Sequence, residues 1–485
     1  MSLIAQHGAI TSAATRNTST ERAREPKAWS GLFSPVCAWL ALLGVTLYAY
    51  VAFGKGFAYL GVGSIYIGEL LLTGGLVLLL INPRLQAALL RANLILLLLF
   101  VLCLWCAART VPYLGTYGML ALRDGALWGY AAFAVVLYAI VSSYPQALAR
   151  IVSWYSLFAR TFPFVMTIVL LVPYAAWPVI PLTGRPLVWY KPGDVGVHLA
   201  GVVVAVLLGI APIRRRGALL WVLCLANVAL RVAAVNRGGM LAMASAWLVM
   251  LLLLAPATPR SAVVWIKRTA PVLLLLTFIL VCVVAAWPSA LDHLGIDLDT
   301  TLKKYASLVT FSDQTGTISD RLAWWRKIVG YTFGGEYFWT GKGFGINLGL
   351  DDGFDWHYSA EDAGTLRSPH NSHLTFLARA GVPGFLSWIA TQGTWLFTLL
   401  RAYIRSTNRR HTLWRRWFCF LTCYWTAFMV NAMFDVYLEG PMGGIWFWSL
   451  FGVGIGSVVV YQRSLARLTS GSPEPVASHA DGLQT

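Results

Sequence analysis

Charged side chains are scarce in this sequence of 485 residues. Lys, Arg, Asp and Glu together make up 12%, whereas 58% of the residues are hydrophobic and the mean hydropathy is +0.65. A soluble domain of this length does not need so much apolar surface for its core. The composition therefore argues against a soluble protein and favours an all-α, polytopic integral membrane protein.

The sequence also lacks the features of a secreted chain. Its seven cysteines all fall in apolar segments, so we expect no exported disulfide. Cys103 and Cys106 have the spacing of a redox pair but lie in an apolar helix, and we interpret them as packing residues. The first 30 residues are polar and basic, with no cleavable apolar stretch. We therefore expect no signal peptide, and expect the first spanning helix to direct insertion.

Long apolar runs, by contrast, are abundant. A helix of about 20 residues spans a bilayer core, and continuous Leu, Val and Ala runs lack the alternation of β-barrel strands. The sequence predicts about 12 transmembrane helices. They lie near residues 34–53, 57–81, 92–109, 126–143, 161–180, 195–212, 218–236, 239–255, 269–288, 373–404, 414–435 and 438–462.

Lysine and arginine are distributed unevenly between these helices. On the side of the N-terminus lie 22 of them, and the short segments opposite hold seven. Positive charge is retained in the cytoplasm, so both termini are predicted to be cytoplasmic. The net charge of +17 sits in these connections, where topology and contact with membrane lipids explain it; we expect no nucleic-acid partner.

One connection, between helices nine and ten, is far longer than the others. It has 84 residues, and such a long loop is usually functional. It holds 11 of the 20 acidic residues against seven basic ones, so a basic protein has an acidic outer loop. The predicted domains are a cytoplasmic tail at 1–33, transmembrane helices one to nine at 34–288, a periplasmic loop with short amphipathic helices at 289–372, helices ten to twelve at 373–462, and a disordered cytoplasmic tail at 463–485.

Two segments of this loop have a recognisable pattern. Residues 320–331 (DRLAWWRKIVGY) are amphipathic with near-helical spacing, and Asp320 is suited to the first turn of a helix. Residues 340–345 (TGKGFG) are rich in glycine but lack the Lys-Ser/Thr that completes a phosphate-binding loop. We interpret this second segment as a turn.

Arg237 lies between helices seven and eight at the outer interface, in the run Asn-Arg-Gly-Gly-Met. A guanidinium beside the hydrocarbon is costly unless it has an anionic partner or reaches water. Gly238 and Gly239 remove side chains at a helix start, where an anion is favoured. The run is a candidate anion site; an arginine that snorkels to the interface is the alternative.

His370 lies directly before helix ten, in Ser-Pro-His-Asn-Ser-His. An imidazole at the membrane surface can accept a proton near neutral pH, and a capping or interfacial histidine is the alternative. His373, three residues later, makes a metal pair a further alternative, whose other ligands would come from Asp351, Asp352, Asp355 and His357. We expect no metal and no cofactor.

Together these motifs resemble the O-antigen ligase family and its polymerase relatives. The resemblance rests on RGGML before helix eight, DRLAWWRKIVGY and GKGFG in the loop, and HNSHLTFLARAGVPGF at the start of helix ten. In that family two arginines and one histidine on the periplasmic side are the functional residues. The resemblance therefore implies that Arg237, Arg321 and His370 are catalytic. The substrate-binding residues that we expect are Arg237, Gly238, Gly239, Arg321 and Asn371.

The resemblance also implies an enzyme of lipopolysaccharide biosynthesis in the bacterial inner membrane. Such a glycosyltransferase moves a glycan from undecaprenyl diphosphate to a sugar hydroxyl of lipid A-core at the periplasmic face, with inversion and without a metal. The alternative with the same chemistry is a polymerase of O-antigen or exopolysaccharide, whose acceptor is the growing polysaccharide. The sequence does not separate the two.

A transporter of lipid or polysaccharide is the alternative from another class. Transporters carry charged residues along a path in mid-membrane, and the candidates here are Glu69, Arg231, Arg379 and Asp435. The same residues could equally pair to fix helix packing. The sequence has no inverted repeat of hydropathy, which makes transport the weaker hypothesis.

Overall fold

The computed structural model describes residues 34–62, 65–91, 93–173, 176–181, 184–255, 317–354 and 367–470. Several predicted features lie outside the described residues: the tail 1–33, the helix near 269–288 with Cys282, the loop parts 289–316 and 355–366 with Asp355 and His357, and the tail beyond 470. What is described is almost entirely helical, as an all-α membrane protein requires.

The N-terminal half is a series of helices joined by short connections. They are α1 (Pro35–Phe53), α2 (Lys55–Ala58), α3 (Ile67–Ile81), α4 (Pro83–Leu89), α5 (Leu94–Thr110), α6 (Leu114–Tyr117), α7 (Met119–Gly129), α8 (Ala131–Ser143) and α9 (Pro145–Leu171). Two antiparallel pairs of two-residue strands interrupt the helical chain. These are β1 (Gly61–Val62) with β2 (Ile65–Tyr66), and β3 (Val179–Ile180) with β4 (Arg185–Pro186).

The C-terminal half contains the segments that form the candidate site. Its helices are α10 (Pro192–Leu207), α11 (Arg215–Val235), α12 (Arg237–Leu254), α13 (Thr317–Phe333), α14 (Leu348–Asp352), α15 (Ser372–Asn408), α16 (Thr412–Asn431) and α17 (Pro441–Ser470). A short 3-10 turn, Tyr437–Glu439, lies in the α16–α17 connection, by which we mean residues 432–440.

Among the described residues, seven helices are long and apolar enough to cross a membrane. An eighth span is formed if α3 and α4 count as one, although they meet at an angle of 93°. The bend falls at Asn82-Pro83, because proline has no N–H to continue a helix and Asn82 caps the new one by accepting from Arg84 N (3.1 Å). The protein is therefore a polytopic membrane protein, and the total of about 12 spans stays a prediction.

The position of α9 differs from its prediction near residues 161–180. The helix begins at Pro145 and ends at Leu171, Val172 after it has an extended backbone, and Val179–Ile180 form β3. Arg150 and Arg160, which precede the predicted start of this span, both lie within the helix. The Nε atom of Arg160 donates to Ser156 O of the same helix (3.1 Å), so the helix surface can carry this cation.

Close helix crossings at glycine hold the core together. A Cβ on Gly452 of α17 would lie 2.4 Å from Ala134 O of α8, and one on Gly456 would lie 2.7 Å from Val141. Such contacts bring backbones together, which is how membrane helices pack in the absence of a hydrophobic driving force. The central α17 is accordingly buried along most of its length.

The described part of the long loop packs against the outer half of α15. The amphipathic helix predicted at 320–331 is confirmed as α13, with Asp320 in its first turn. Its buried residues Trp324 and Ile328 pack against Leu377 and Ala378 of α15. The loop therefore has a small hydrophobic core of its own on the outer surface of the bundle.

Candidate functional site

Arg237 is the first residue of α12, and its position is set by an N-cap. Asn236 has an extended backbone, and its Oδ1 accepts a hydrogen bond from Gly239 N (2.7 Å). Asparagine favours this position because its side chain satisfies an N–H that has no partner within the helix. The half-buried Arg237 thus projects from a helix N-terminus, where the dipole favours anions.

The two glycines that follow Arg237 are used for helix packing. A Cβ on Gly196 of α10 would lie 2.9 Å from Gly239 Cα, so α10 crosses α12 with backbone against backbone. A Cβ on Gly238 would lie 3.0 Å from Phe434 Cβ, in the α16–α17 connection. The space beside both glycines is filled by protein. Their contribution to the candidate site is to hold the start of α12, and with it Arg237, against these neighbours.

Arg321 approaches the same connection from α13. Its Nη1 donates to Phe434 O (3.3 Å), while its buried Nε has no hydrogen-bond partner among the described residues. A buried guanidinium nitrogen without a partner is costly, so a site that supplies an acceptor is favoured. Trp325, on the same helix, donates from Nε1 to Pro369 O (2.9 Å) and ties α13 to the residue before His370.

His370 lies on the connection's other flank, in an unusual backbone conformation. Its φ is +51°, in the left-handed region that non-glycine residues rarely adopt. The Nδ1 atom lies 3.9 Å from Oδ1 of Asp435, and the side chain is 24% exposed. Asn371, next in the chain, caps α15: its Oδ1 accepts from His373 N and Leu374 N, both at 3.1 Å. The side-chain oxygen of Asn371 is therefore engaged in the cap, and a role of this residue in substrate binding stays a prediction.

The helix start that carries Arg237, the Arg321 side chain and His370 therefore all adjoin the α16–α17 connection. Phe434 contacts the start of the Arg237 helix and accepts from Arg321, and Asp435 faces His370. Ser372 anchors the connection, donating from N to Ala432 O (2.8 Å) and from Oγ to Asp435 O (3.3 Å). Segments that are far apart in the sequence, with Arg321, His370 and the helix start of Arg237, are thus gathered at one edge of the bundle.

Two charged residues at this edge were not among the predicted site residues. Lys191, directly before α10, places Nζ 3.3 Å from Oδ1 of Asp435. Burial raises the pKa of the Asp435 carboxyl, but His370 and Lys191 outweigh burial and hold that pKa below its usual range. Burial lowers the pKa of Lys191, and Asp435 with Asp194 more than reverses the effect, so this pKa is raised. Asp435 is thus an anion at neutral pH, set between a lysine and a histidine.

The residues of the metal alternative are engaged elsewhere. His373 Nδ1 accepts from Trp388 Nε1 (3.0 Å), and its Nε2 lies 3.0 Å from Met429 O. Asp351 and Asp352 both hold the ammonium of Lys342 at 2.5 Å. Within the described ranges no group of three or more His, Cys, Asp or Glu side chains is arranged to hold a metal ion. His373 therefore has a structural role between α15 and α16.

The glycine-rich segment 340–345 is a turn that packs on α15. Lys342 N and Gly343 N donate to Ala378 O (2.7 Å) and Arg379 O (3.0 Å), where α15 is broken at Gly381 with φ +68°. Gly345 N donates to Asp124 (3.0 Å). These N–H groups donate to protein acceptors, and the Lys342 ammonium contacts two carboxylates. The segment therefore fixes the loop against α15.

The charged residues that suggested a transporter mostly have protein partners. Glu69 accepts from Tyr130 Oη (2.7 Å) and Tyr66 N (3.0 Å). Arg379, almost fully buried, lies 3.0 Å from Asp124 and donates to three backbone carbonyls. These pairs fix helix packing, which was the alternative interpretation, and a continuous charged path is not visible in the described part of the bundle.

Comparison with known proteins agrees with this geometry. Residues 218–389 match the family model described as O-antigen ligase, and no curated protein matches the sequence. The matched segment contains Arg237, Arg321 and His370, whereas Lys191 and Asp435 lie outside it. The apolar helices of the chain make it a multi-pass membrane protein. The family match supports a function of the ligase or polymerase type, with lipid-linked glycans and polysaccharides as partners. Over residues 218–389 the chain is similar to the O-antigen ligase family.

Proposed function

We propose that the protein transfers a glycan from undecaprenyl diphosphate to a sugar hydroxyl of lipid A-core, at the periplasmic face of the bacterial inner membrane. The observation that carries the proposal is the meeting of Arg237, Arg321 and the His370–Asp435 pair at the α16–α17 connection. Such a site has cations for a diphosphate and a base for a hydroxyl. Helix α13 of the long loop and the first residues of α12 and α15 adjoin it.

Arg237 and Arg321 bind the diphosphate of the donor. As the bond between the anomeric carbon and the phosphate oxygen breaks, negative charge grows on the leaving undecaprenyl diphosphate. Guanidinium groups that are already in place stabilise this charge by bidentate, charge-assisted hydrogen bonds, and do so most strongly where water is excluded. The unpartnered Nε of Arg321 supports this role. Two such cations supply the charge that a divalent ion supplies elsewhere, so the reaction needs no metal.

His370 is the general base. Its Nδ1 faces Asp435, which orients the ring, and we assign the other nitrogen, Nε2, to the acceptor. The hydroxyl oxygen attacks the anomeric carbon, its proton passes to Nε2, and the bond to the diphosphate breaks on the opposite face. A single displacement of this kind inverts the configuration at the anomeric carbon. His370 then releases the proton to water.

The test is a transfer assay with purified protein and a defined oligosaccharide on undecaprenyl diphosphate. General-base catalysis contributes about 10²- to 10⁴-fold, so H370A is expected to bind donor and lose turnover by that factor. H411Q is the matched control. His411 precedes α16, whose 20 residues separate it from the site by roughly 30 Å. Wild-type turnover in H370A, or retention of configuration in the product, contradicts the mechanism.

The acceptor is decided in the same assay. Lipid A-core as acceptor gives a ligase product, whereas donor alone gives a longer lipid-linked polymer if the enzyme is a polymerase. In a deletion strain, a ligase defect leaves free polymer and removes all long lipopolysaccharide bands. A polymerase defect leaves a single repeat on the core. Reporter fusions at both ends test the cytoplasmic location of the termini, which is part of the proposal.

A further inference from the structure

Lys191 is held firmly where the chain enters α10. Its carbonyl oxygen accepts from Asp194 N (3.1 Å) and Val195 N (3.2 Å) in the first turn of the helix. Two residues earlier, Trp189 is bound by backbone hydrogen bonds to Phe53 O (2.8 Å) and from Lys55 N (2.7 Å). The lysine backbone is thus fixed on both sides, so its side chain has few positions available.

The Lys191 ammonium shares one oxygen atom with the proposed base. Oδ1 of Asp435 lies 3.3 Å from Lys191 Nζ and 3.9 Å from His370 Nδ1. The three side chains are only 23%, 17% and 24% exposed, so solvent screens their charges incompletely. Cation, carboxylate and imidazole therefore form one chain of charges, contributed by residues that are far apart in the sequence.

We infer that Lys191 is a positioning residue for the proposed reaction, which holds the Asp435 carboxylate against His370 and offsets the negative charge of that carboxylate beside the imidazole. The inference rests on the proposed function. The role that it gives Lys191 is to position the general base, whereas the two arginines bind the diphosphate.

The sign of the effect follows from the charges. An anion beside an imidazole favours the protonated ring, and a protonated ring cannot act as a base. A cation on the same carboxylate weakens that attraction and also repels a proton from the ring directly. Without Lys191, the His370 ring should therefore lose its proton only at a higher pH than in the wild type. Without the Asp435 charge, the ring should lose its proton at a lower pH. The two variants shift the pH dependence in opposite directions.

Other charged and titratable groups lie near Lys191, Asp435 and His370 and contribute to the electrostatic field at these residues. From α10 comes Asp194, whose buried Oδ1 has no hydrogen-bond partner among the described residues and which interacts with Lys191 and Asp435. Lys55 and Tyr59 interact with Asp194 and Lys191 respectively, and Tyr437 interacts with Asp194 and Asp435. Arg321 approaches through the carbonyl of Phe434. Their side chains are retained in the variants below, but Asp194 interacts with both altered residues, so the effect on the imidazole itself is measured separately by the exchange midpoint of His370.

The experiment compares K191M, K191R and D435N with wild-type protein, using kcat/KM from pH 5 to 9. K191M is expected to move the acidic limb up by about 1 pH unit, K191R to stay near wild type, and D435N to move it down. K327M is the matched control: this exposed lysine of α13 donates to Asp352 O (2.7 Å), away from Asp435. Monodisperse elution in detergent verifies that each variant is folded.

A second readout does not depend on turnover. Hydrogen exchange at the imidazole C2 position, followed by mass spectrometry with fragmentation between residues 370 and 373, gives a midpoint pH for His370 in each variant. Opposite shifts for K191M and D435N support the inference. An unshifted midpoint in K191M, or a raised donor KM with an unshifted acidic limb, overturns it. If wild-type protein transfers no glycan, the proposed function fails, and the exchange midpoints still decide whether Lys191 acts on His370.

Discussion

Replacing Gly196 by alanine tests whether a helix crossing sets the position of Arg237. The added Cβ would lie 2.9 Å from Gly239 Cα and 3.1 Å from its carbonyl carbon and oxygen, whereas ordinary contacts begin near 3.4 Å. All three neighbours are backbone atoms, so no side chain can turn aside. The helices α10 and α12 must separate by about 0.5 Å or more, at a cost of about 1–3 kcal/mol for overpacking.

The consequence for catalysis follows from position alone. Arg237 lies two residues from the crossing, and G196A leaves every proposed catalytic group in place. A displacement of 1 Å can cost about 10²-fold in rate, so we expect kcat/KM to fall roughly 10- to 100-fold. The assay is glycan transfer at fixed donor concentrations, together with thermal unfolding followed by tryptophan fluorescence.

The matched control is G217A on α11. A Cβ at Gly217 would have no neighbour within 4 Å in the described part of the chain, and alanine raises helix propensity by about 1 kcal/mol. G217A should therefore keep wild-type transfer and melting temperature. Wild-type transfer by G196A with an unchanged melting temperature refutes the reasoning, and an equal loss in G217A assigns the effect to glycine replacement in general.

Three further predictions follow from the same contacts. D124N removes the carboxylate that the buried Arg379 shares with Arg367 and should cost about 3–5 kcal/mol of stability, measured by thermal unfolding; a loss below about 1 kcal/mol contradicts the pairing. Because the pKa of Asp435 is lowered, its ion pair with Lys191 stabilises the fold at any pH above the ordinary carboxyl range and is lost only as the pH falls below about 4. The melting difference between wild type and D435N should thus shrink as the pH falls from about 5 towards 3; a difference that stays unchanged over that interval is inconsistent with the lowered pKa. Since two guanidiniums supply the positive charge, excess chelator should leave the transfer rate unchanged, and recovery of a lost rate by added Mg²⁺ would contradict the metal-free mechanism.

Features that depend on local patterns were predictable from the sequence. Apolar runs located most of the spanning helices, and the amphipathic pattern of residues 320–331 identified α13. The turn character of the segment around Lys342 followed from its glycines, three of which have positive φ. Each of these signals lies within a few residues of the feature that it predicts, so one sequence is enough to recognise it.

Features that depend on distant pairing were not predictable. Lys191 and Asp435 are 244 residues apart, and neither lies in a motif that marks it as functional. From the sequence alone, Asp435 is a charged residue within a predicted span and Lys191 is one of the basic residues between spans. The start of α9 was misplaced for a related reason, because an arginine on a helix surface and an arginine in a loop have the same local sequence. Packing decides between them, and packing is not local.

The backbone of His370 shows how such pairing acts on the proposed base. A non-glycine residue at φ +51° is strained, and such strain persists only where neighbouring contacts determine the conformation. Here Trp325 holds Pro369 on one side, and the Asn371 cap with the Ser372 hydrogen bond to Ala432 holds the other. These contacts come from α13, α15 and the α16–α17 connection. The elements that bring Arg321 and Asp435 to the site are therefore the same ones that orient the imidazole. A change in the packing of any of these elements should displace all three side chains.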